Sequence, residues 1–204
     1  MNAIKIYDQI WASENLRTES FSNKEQILKA SNIQEWIAFC DAKKPCCCSY
    51  DFKEANISKY GLIYNKYVIT SGISIAPVGY RIATRNDWDV LIDGQGGIND
   101  CLPKIKSTKG WLKVGWEAMN GSNESGLNVT PGGHLYRGDL FEGPKFEDLK
   151  YGVQWWTDDG CVPHITHYDK KKFKFHDAQP TFRDNADKKP EKSGRYIRLI
   201  ASVK

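Results

Sequence analysis

Gly79-Tyr80-Arg81-Ile82-Ala83-Thr84-Arg85-Asn86-Asp87-Trp88 is the stretch on which the fold turns. Thr84 is a hydroxyl residue placed directly before an apolar periodic run, and Asp87 follows three positions later. That is the layout of a capping box, with Asp87 standing where Glu or Gln is usual. Trp88, Val90, Leu91 and Ile92 then supply the apolar positions, so the sequence predicts a helix starting at Thr84.

Towards the N-terminus, Tyr60 to Ile69 is β-branched and aromatic enough to predict a strand. Further back, Ile33, Trp36, Ile37 and Phe39 recur at helical spacings behind Ser31 and Asn32, which predicts a short helix over 31–39. Ile4 to Leu16 reads as one or two short strands broken at Asp8-Gln9 and lying at a sheet edge. Towards the C-terminus the chain becomes glycine-rich from Gly94 onward, which makes helix improbable there. Short strands are expected at 126–129, 135–141, 153–157, 162–168, 172–175 and 196–201, closing a curved antiparallel structure. The polar stretch 184–194 is expected to be a mobile loop.

Seven Trp, ten Tyr, eight Phe and seventeen Gly among 204 residues suggest tight turns around bulky aromatic anchors, in one domain spanning 1–204. The 29 basic and 25 acidic side chains are interspersed, so no large single-sign field arises and nucleic acid is not an expected partner. The one basic cluster, Lys170, Lys171, Lys172 and Lys174, alternates with Phe173 and Phe175 at its end, as a strand with one solvated face does. No apolar run approaches bilayer length, so no membrane insertion is expected, and the opening residues lack the layout of a secretory signal. The expected location is a virion or the cell exterior, reached by a route other than Sec.

The six cysteines, at 40, 46, 47, 48, 101 and 161, follow neither zinc-ribbon spacing nor a regular disulfide framework. Three adjacent side chains with only Cys40 nearby make a poor ligand set for one metal, so they are read as buried or free thiols in a cysteine-rich loop.

A series of ordered blocks carries a resemblance. They include Trp11-Ala12-Ser13-Glu14-Asn15-Leu16, Lys59-Tyr60-Gly61-Leu62-Ile63-Tyr64-Asn65, Ala76-Pro77-Val78-Gly79-Tyr80-Arg81, Leu102-Pro103-Lys104-Ile105, Asn123-Glu124-Ser125-Gly126-Leu127-Asn128, Pro131-Gly132-Gly133 and Trp155-Trp156-Thr157. With them, the chain resembles the Fibrobacter succinogenes major paralogous domain family over nearly its whole length. The resemblance implies an α+β, C-type-lectin-like fold: short helices packed on curved antiparallel sheets with long Gly-rich loops. The fold is shared with formylglycine-generating enzymes, whose own signature is similar to residues 79–88. Many family members carry a Cys before the Pro-x-Gly turn and another in the closing strand, where this chain has Ala76 and Leu199. If those cysteines normally bond to each other, their joint absence fits folding in a reducing compartment. The closing strand Arg195 to Ile200 also departs from the family wording.

For chemistry, formylglycine-type oxidation needs a reactive thiol pair in the C-terminal part of the fold, whereas here Cys161 is the last cysteine and Cys101 lies far back. His164 and His167 are i and i+3, which on a strand point to opposite faces, so solvent-exposed or locally bonded imidazoles are expected and no metal site. Glu117, Asn120, Asn123 and Glu124 could offer oxygens to calcium, but turn chemistry is the preferred reading. Trp155-Trp156 could stack on a sugar, yet adjacent strand residues face opposite ways and both fit a scaffold role. Recognition is expected on loops. The candidate ligand-binding residues are Trp116, Glu117, Asn120, Asp158, Asp159, His164, His167, Tyr168 and Arg183, with no catalytic residue, metal or cofactor.

The function expected is non-enzymatic recognition or display, with a glycan or protein partner at a surface. The alternative is a structural assembly or adaptor piece contacting other particle proteins or copies of itself, and behind both stands a formylglycine-generating-type oxidase.

Overall fold

A computed structural model describes residues 2–114, 117–139, 141–166, 172–177 and 191–202. It is mixed: short helices and two main sheets, an α+β arrangement. The chain starts with a hairpin of β1 (Ala3–Ile6) and β2 (Gln9–Ala12), then β3 (Leu28–Lys29) and helix α1 (Ile33–Asp41). Strand β4 (Cys46–Cys48) follows, then α2 (Ile57–Tyr60), β5 (Ile63–Asn65), α3 (Lys66–Ile69) and β6 (Tyr80–Ile82). Helices α4 (Arg85–Gly94) and α5 (Ile98–Ile105) lead to the small pair β7 (Lys113–Val114) and β8 (Glu117–Ala118). Then come β9 (Gly132–Tyr136), β10 (Lys145–Leu149), β11 (Gly152–Trp156), β12 (Cys161–Thr166) and β13 (Lys172–Asp177). The chain ends with β14 (Gly194–Ile197) and β15 (Leu199–Ala201).

The capping box forms. Thr84 N donates to Asp87 Oδ2 at 2.7 Å, Asp87 N returns to Thr84 Oγ1 at 3.4 Å, and Arg81 Nη2 holds Asp87 Oδ1 at 2.8 Å. Helix α1 starts at Ile33, two residues after the expected start, with Asn32 Oδ1 accepting from Glu35 N at 2.9 Å and Trp36 and Cys40 forming its buried i, i+4 face. It runs two residues beyond the expected end.

Several expectations are corrected. Residues 60–69 are not one strand: Gly61, at φ 89°, separates α2 from β5, and α3 follows at once. Helix does occur after Gly94. Helix α5 survives Pro103 in its interior because Cys101, Leu102 and Ile105 bury one face, and that packing outweighs the lost backbone bond. The first hairpin turns at Tyr7-Asp8, and of its two strands β1 is the one at a sheet edge among the described residues, since β2 pairs β15. Residues 126–129 form no strand, Val129 making only an isolated bridge to Lys106. The expected strand at 196–201 is interrupted at Arg198. Of the stretch expected to be a mobile loop, 184–190 lie outside the described residues, whereas Ser193 and Gly194 are buried and Gly194 opens β14.

The architecture is also not purely antiparallel. A four-stranded antiparallel sheet has the order β1-β2-β15-β6. The nine-stranded sheet runs β13-β12-β11-β9-β14-β5-β4-β3 with β10 on β9, and contains parallel pairs β11–β14, β11–β9 and β3–β4. Strand β11 is flanked on one side by β9 beside Val153 and by β14 beside Trp155 and Trp156. The continuous run β14-Arg198-β15 passes from the large sheet into the small one.

The large sheet is covered on both faces. One core holds Trp11, Trp88 and Trp155, in tilted contact with ring centroids 4.9 Å apart at each step. The other holds Tyr64, Trp156 and Ile197. The triple cysteine is therefore no loop. It is strand β4, with Cys46 and Cys48 in the first core and Cys47 in the second, as a side-chain period of two requires.

Candidate functional site

The residues that stand out chemically lie on the β9–β10 hairpin and the sheet face beneath it. His134 of β9 is opposite Glu147 of β10, and Gln154 of β11 is opposite His164 of β12, so the register brings His134, Gln154 and His164 to one face. This is the face opposite Trp155. Asp148, at φ 63° within an unbroken β9–β10 register, places its carboxylate between the two imidazoles, with Oδ2 3.6 Å from His134 Nδ1 and 3.7 Å from His164 Nε2.

Hydrogen bonding fixes the state of His134. Arg195 Nε donates to Gln154 Oε1 at 2.9 Å, so the Gln154 amide nitrogen is the atom 3.3 Å from His134 Nε2. An amide nitrogen only donates; His134 Nε2 must therefore accept, and the ring proton sits on Nδ1, facing Asp148. Burial pushes the His134 pKa down to about 3; Asp148 opposes that shift, while Arg195 and His164 add to it. A neutral imidazole whose Nε2 accepts from Gln154 offers no free basic nitrogen to a substrate. Its role is to stiffen the face.

Above this network the face is charged. The Arg195 guanidinium lies 4.1 Å over the Trp156 ring, and burial draws its pKa down to about 10 against the pull of Glu191. Burial would raise the Glu191 carboxyl, but hydrogen bonds from Ser193, with Arg195 and Arg137 nearby, hold it below the usual range. The hairpin tip carries a different group. Asp139 Oδ1 accepts from Phe141 N at 2.8 Å and Glu142 N at 2.9 Å, and Asp139 N donates back to Glu142 O at 3.0 Å. On this locked turn the Phe141 side chain is 94% exposed.

The sequence-predicted site residues are not brought together. Asn120 is exposed, with Oδ1 accepting from Trp111 N at 3.1 Å. Asn123 Oδ1 accepts from Asn128 N at 2.8 Å, which is turn chemistry. Asp159 Oδ2 accepts from Arg85 N at 3.0 Å and so caps α4, on the Trp155 side of the sheet; Asp158 is exposed beside it. His164 is on the opposite face, and instead of being solvent-exposed or locally bonded it is a largely buried side chain facing a carboxylate from another strand, because β12 lies between β11 and β13. Glu117 lies in β8 and is placed by its backbone. Trp116, His167, Tyr168 and Arg183 lie outside the described residues, as do Lys170 and Lys171 of the basic cluster.

Sequence reasoning missed His134, Asp148 and Phe141. Nothing local links His134 to His164, thirty positions on, but Phe141 carried a signal: a large apolar residue inside Gly138-Asp139-Leu140-Phe141-Glu142-Gly143, where a turn cannot bury it. All six cysteines are buried thiols, and among the described residues no three His, Cys, Asp or Glu side chains are grouped to hold a metal ion. Among the described residues no helix is long and apolar enough to cross a membrane.

A family model described as the Fibrobacter succinogenes major domain matches residues 4–199. No curated protein and no solved structure matches the chain.

Proposed function

The chain belongs to the Fibrobacter succinogenes major domain family, and on that premise we propose that it is a non-enzymatic recognition module of C-type-lectin-like architecture. It is displayed on a virion or a bacterial surface, where the β9–β10 hairpin and the face beneath it hold a glycan or protein partner. The observation that carries this reading is Phe141: a phenylalanine 94% exposed on a turn whose backbone is fixed by Asp139. Leaving such a ring in water forgoes about 1.5–3 kcal/mol of burial, and a pre-ordered tip lets a partner collect that term with little ordering entropy. Arg137 and Lys145 flank the tip and give it polar reach. Display in many copies turns a weak single contact into firm attachment.

The thiols favour the same reading. A formylglycine-type oxidase needs accessible sulfur, but Cys101 and Cys161 are buried, and burial pushes the Cys101 thiol up to about 12.

The test is binding of a multivalent preparation to bacterial cells and to a glycan array, wild type beside Phe141→Ser. At least a tenfold loss in the variant, with an unchanged unfolding midpoint, is expected. Equal binding by both removes the hairpin from the reading, and no binding by wild type to any cell or glycan removes the reading itself.

The assembly reading has its own observation. Among the described residues β1 pairs only with β2, so its outer edge is open to another strand. Concentration-dependent self-association in sedimentation, abolished by Ile4→Pro, would favour assembly over display.

A further inference from the structure

Four of the six thiols lie between positions 40 and 48, and the recognition reading uses none of them. Cys40 ends the buried face of α1. Lys43 N then donates to Cys40 O at 3.0 Å and Lys44 N to Phe39 O at 2.8 Å, so the chain reverses at once and Pro45 delivers Cys46 into β4. Asn65 of β5 clasps the two ends: its Nδ2 donates to Lys44 O at 2.8 Å and to Cys40 Sγ at 3.7 Å, and its Oδ1 accepts from Cys46 N at 3.1 Å. Both cysteines belong to the same core and meet the same Asn65 amide, which sets the Cys40 sulfur beside the start of β4.

The neighbouring cysteines are not so placed. Cys47 faces the other core. Cys48 shares the face of Cys46, but residues two apart on a strand are about 6.6 Å apart with parallel side chains, beyond the Cβ separation a disulfide tolerates.

We propose that Cys40 and Cys46 form a redox modification site, at which a peroxide oxidises the pair to a disulfide joining the end of α1 to β4. The Cys40 sulfur attacks one peroxide oxygen and the O–O bond breaks, giving a sulfenic acid and one water that carries off the Cys40 proton. The Cys46 sulfur then attacks the sulfenic sulfur, the S–S bond forms, the S–O bond breaks, and a second water leaves with the Cys46 proton. Two electrons pass from the thiols to the peroxide. The order follows from the Asn65 amide, whose N–H is aimed at the Cys40 sulfur and favours its thiolate. Both sulfurs are fully buried, so peroxide enters through opening of the exposed segment 41–44, and the reaction is slow compared with that of a surface thiol.

The test uses the wild-type chain. It is treated with hydrogen peroxide until Met119 is partly oxidised, unfolded in iodoacetamide without reductant, cleaved after Lys43 to separate the two cysteines, and analysed by mass spectrometry. The expected result is a monomer lighter by two hydrogen atoms, with Cys40 joined to Cys46 and the other four cysteines alkylated. In Cys46→Ala that mass loss disappears, and Cys40 carries added oxygen instead. Six alkylated cysteines alongside oxidised Met119, a cross-link between other positions, or a link between two chains would each overturn the proposal.

Discussion

Trp155 and Trp156 are consecutive in β11, and their indoles close opposite faces of the same sheet: Trp155 Nε1 donates to Asn15 Oδ1 at 2.9 Å in one core, and Trp156 Nε1 donates to the Tyr64 carbonyl at 2.8 Å in the other. Each polar tip is satisfied inside the protein, and both rings are essentially out of water. The pair therefore ties the two cores together through one strand and presents no stacking surface to a sugar.

It follows that Trp155→Ala and Trp156→Ala should each cost about 3–5 kcal/mol, since each removes a buried indole from a separate core. Asn15→Ala should cost about 1–3 kcal/mol, because it strands the Trp155 N–H in the interior. Guanidinium unfolding midpoints measure all three. A midpoint unchanged in Trp156→Ala would show that the second core contributes little to folding.

The Thr84–Asp87 cap gives a prediction with a pH sign. Burial alone would raise the Asp87 carboxyl, but the bonds from Arg81 and Thr84 outweigh it and hold the group below its ordinary value of 3.8. The unfolded chain therefore takes up this proton first as pH falls. The stabilisation is complete above that value and is lost as pH drops through the lower folded one. Asp87→Asn should be less stable than wild type at neutral pH, and the gap should close towards pH 3. Thr84→Ala should cost about 1 kcal/mol, read as a shift in thermal midpoint.

Fold and function separate at the hairpin tip. Phe141→Ser touches a side chain in solvent, so stability should stay within about 0.5 kcal/mol of wild type. Gly138 is different: at φ 83° a Cβ would sit 2.3 Å from the Glu142 carbonyl oxygen, so Gly138→Val must deform the turn that holds Phe141. Both variants should lose partner binding, but only Gly138→Val should also lower the melting temperature. Circular dichroism melts beside the cell-binding assay decide this.

How far the sequence could be read depended on the range of the interaction. The α4 cap was legible because Thr84 and Asp87 lie three residues apart, and the opposed Trp155 and Trp156 because strand alternation is local. Helix α5 was hidden by the glycines before it and by Pro103; what stabilises it is burial of Cys101, Leu102 and Ile105 against distant strands. The cysteine strand was hidden for the same reason, since β4 owes its form to pairing with β3 and β5. Parallel pairing of β11 with β14 joins segments forty residues apart, and no local pattern encodes it. The His134–Asp148–His164 cluster follows from three strand registers at once, so it could not be assembled from spacing.

That cluster gives the strongest pH dependence. His134 is neutral in the fold, its pKa taken by burial to about 3, while an unfolded histidine titrates near its ordinary 6.5. Between those values the unfolded state binds one more proton than the folded state, so stability falls as pH is lowered from 6.5 towards 3, by up to about 1.4 kcal/mol per pH unit from this group alone. The slope has the same sense as that of Asp87 but begins at higher pH, so the two are distinguishable. His134→Gln keeps a hydrogen-bonding side chain without a titrating ring, and it should flatten the stability curve between pH 6 and 4 while leaving the acid limb near pH 3 in place. Urea unfolding at half-unit pH intervals measures both slopes. Parallel curves for the variant and wild type would mean that Asp148 keeps the imidazole protonated in the fold, with His134⁺ and Asp148⁻ as a buried ion pair in place of the neutral network.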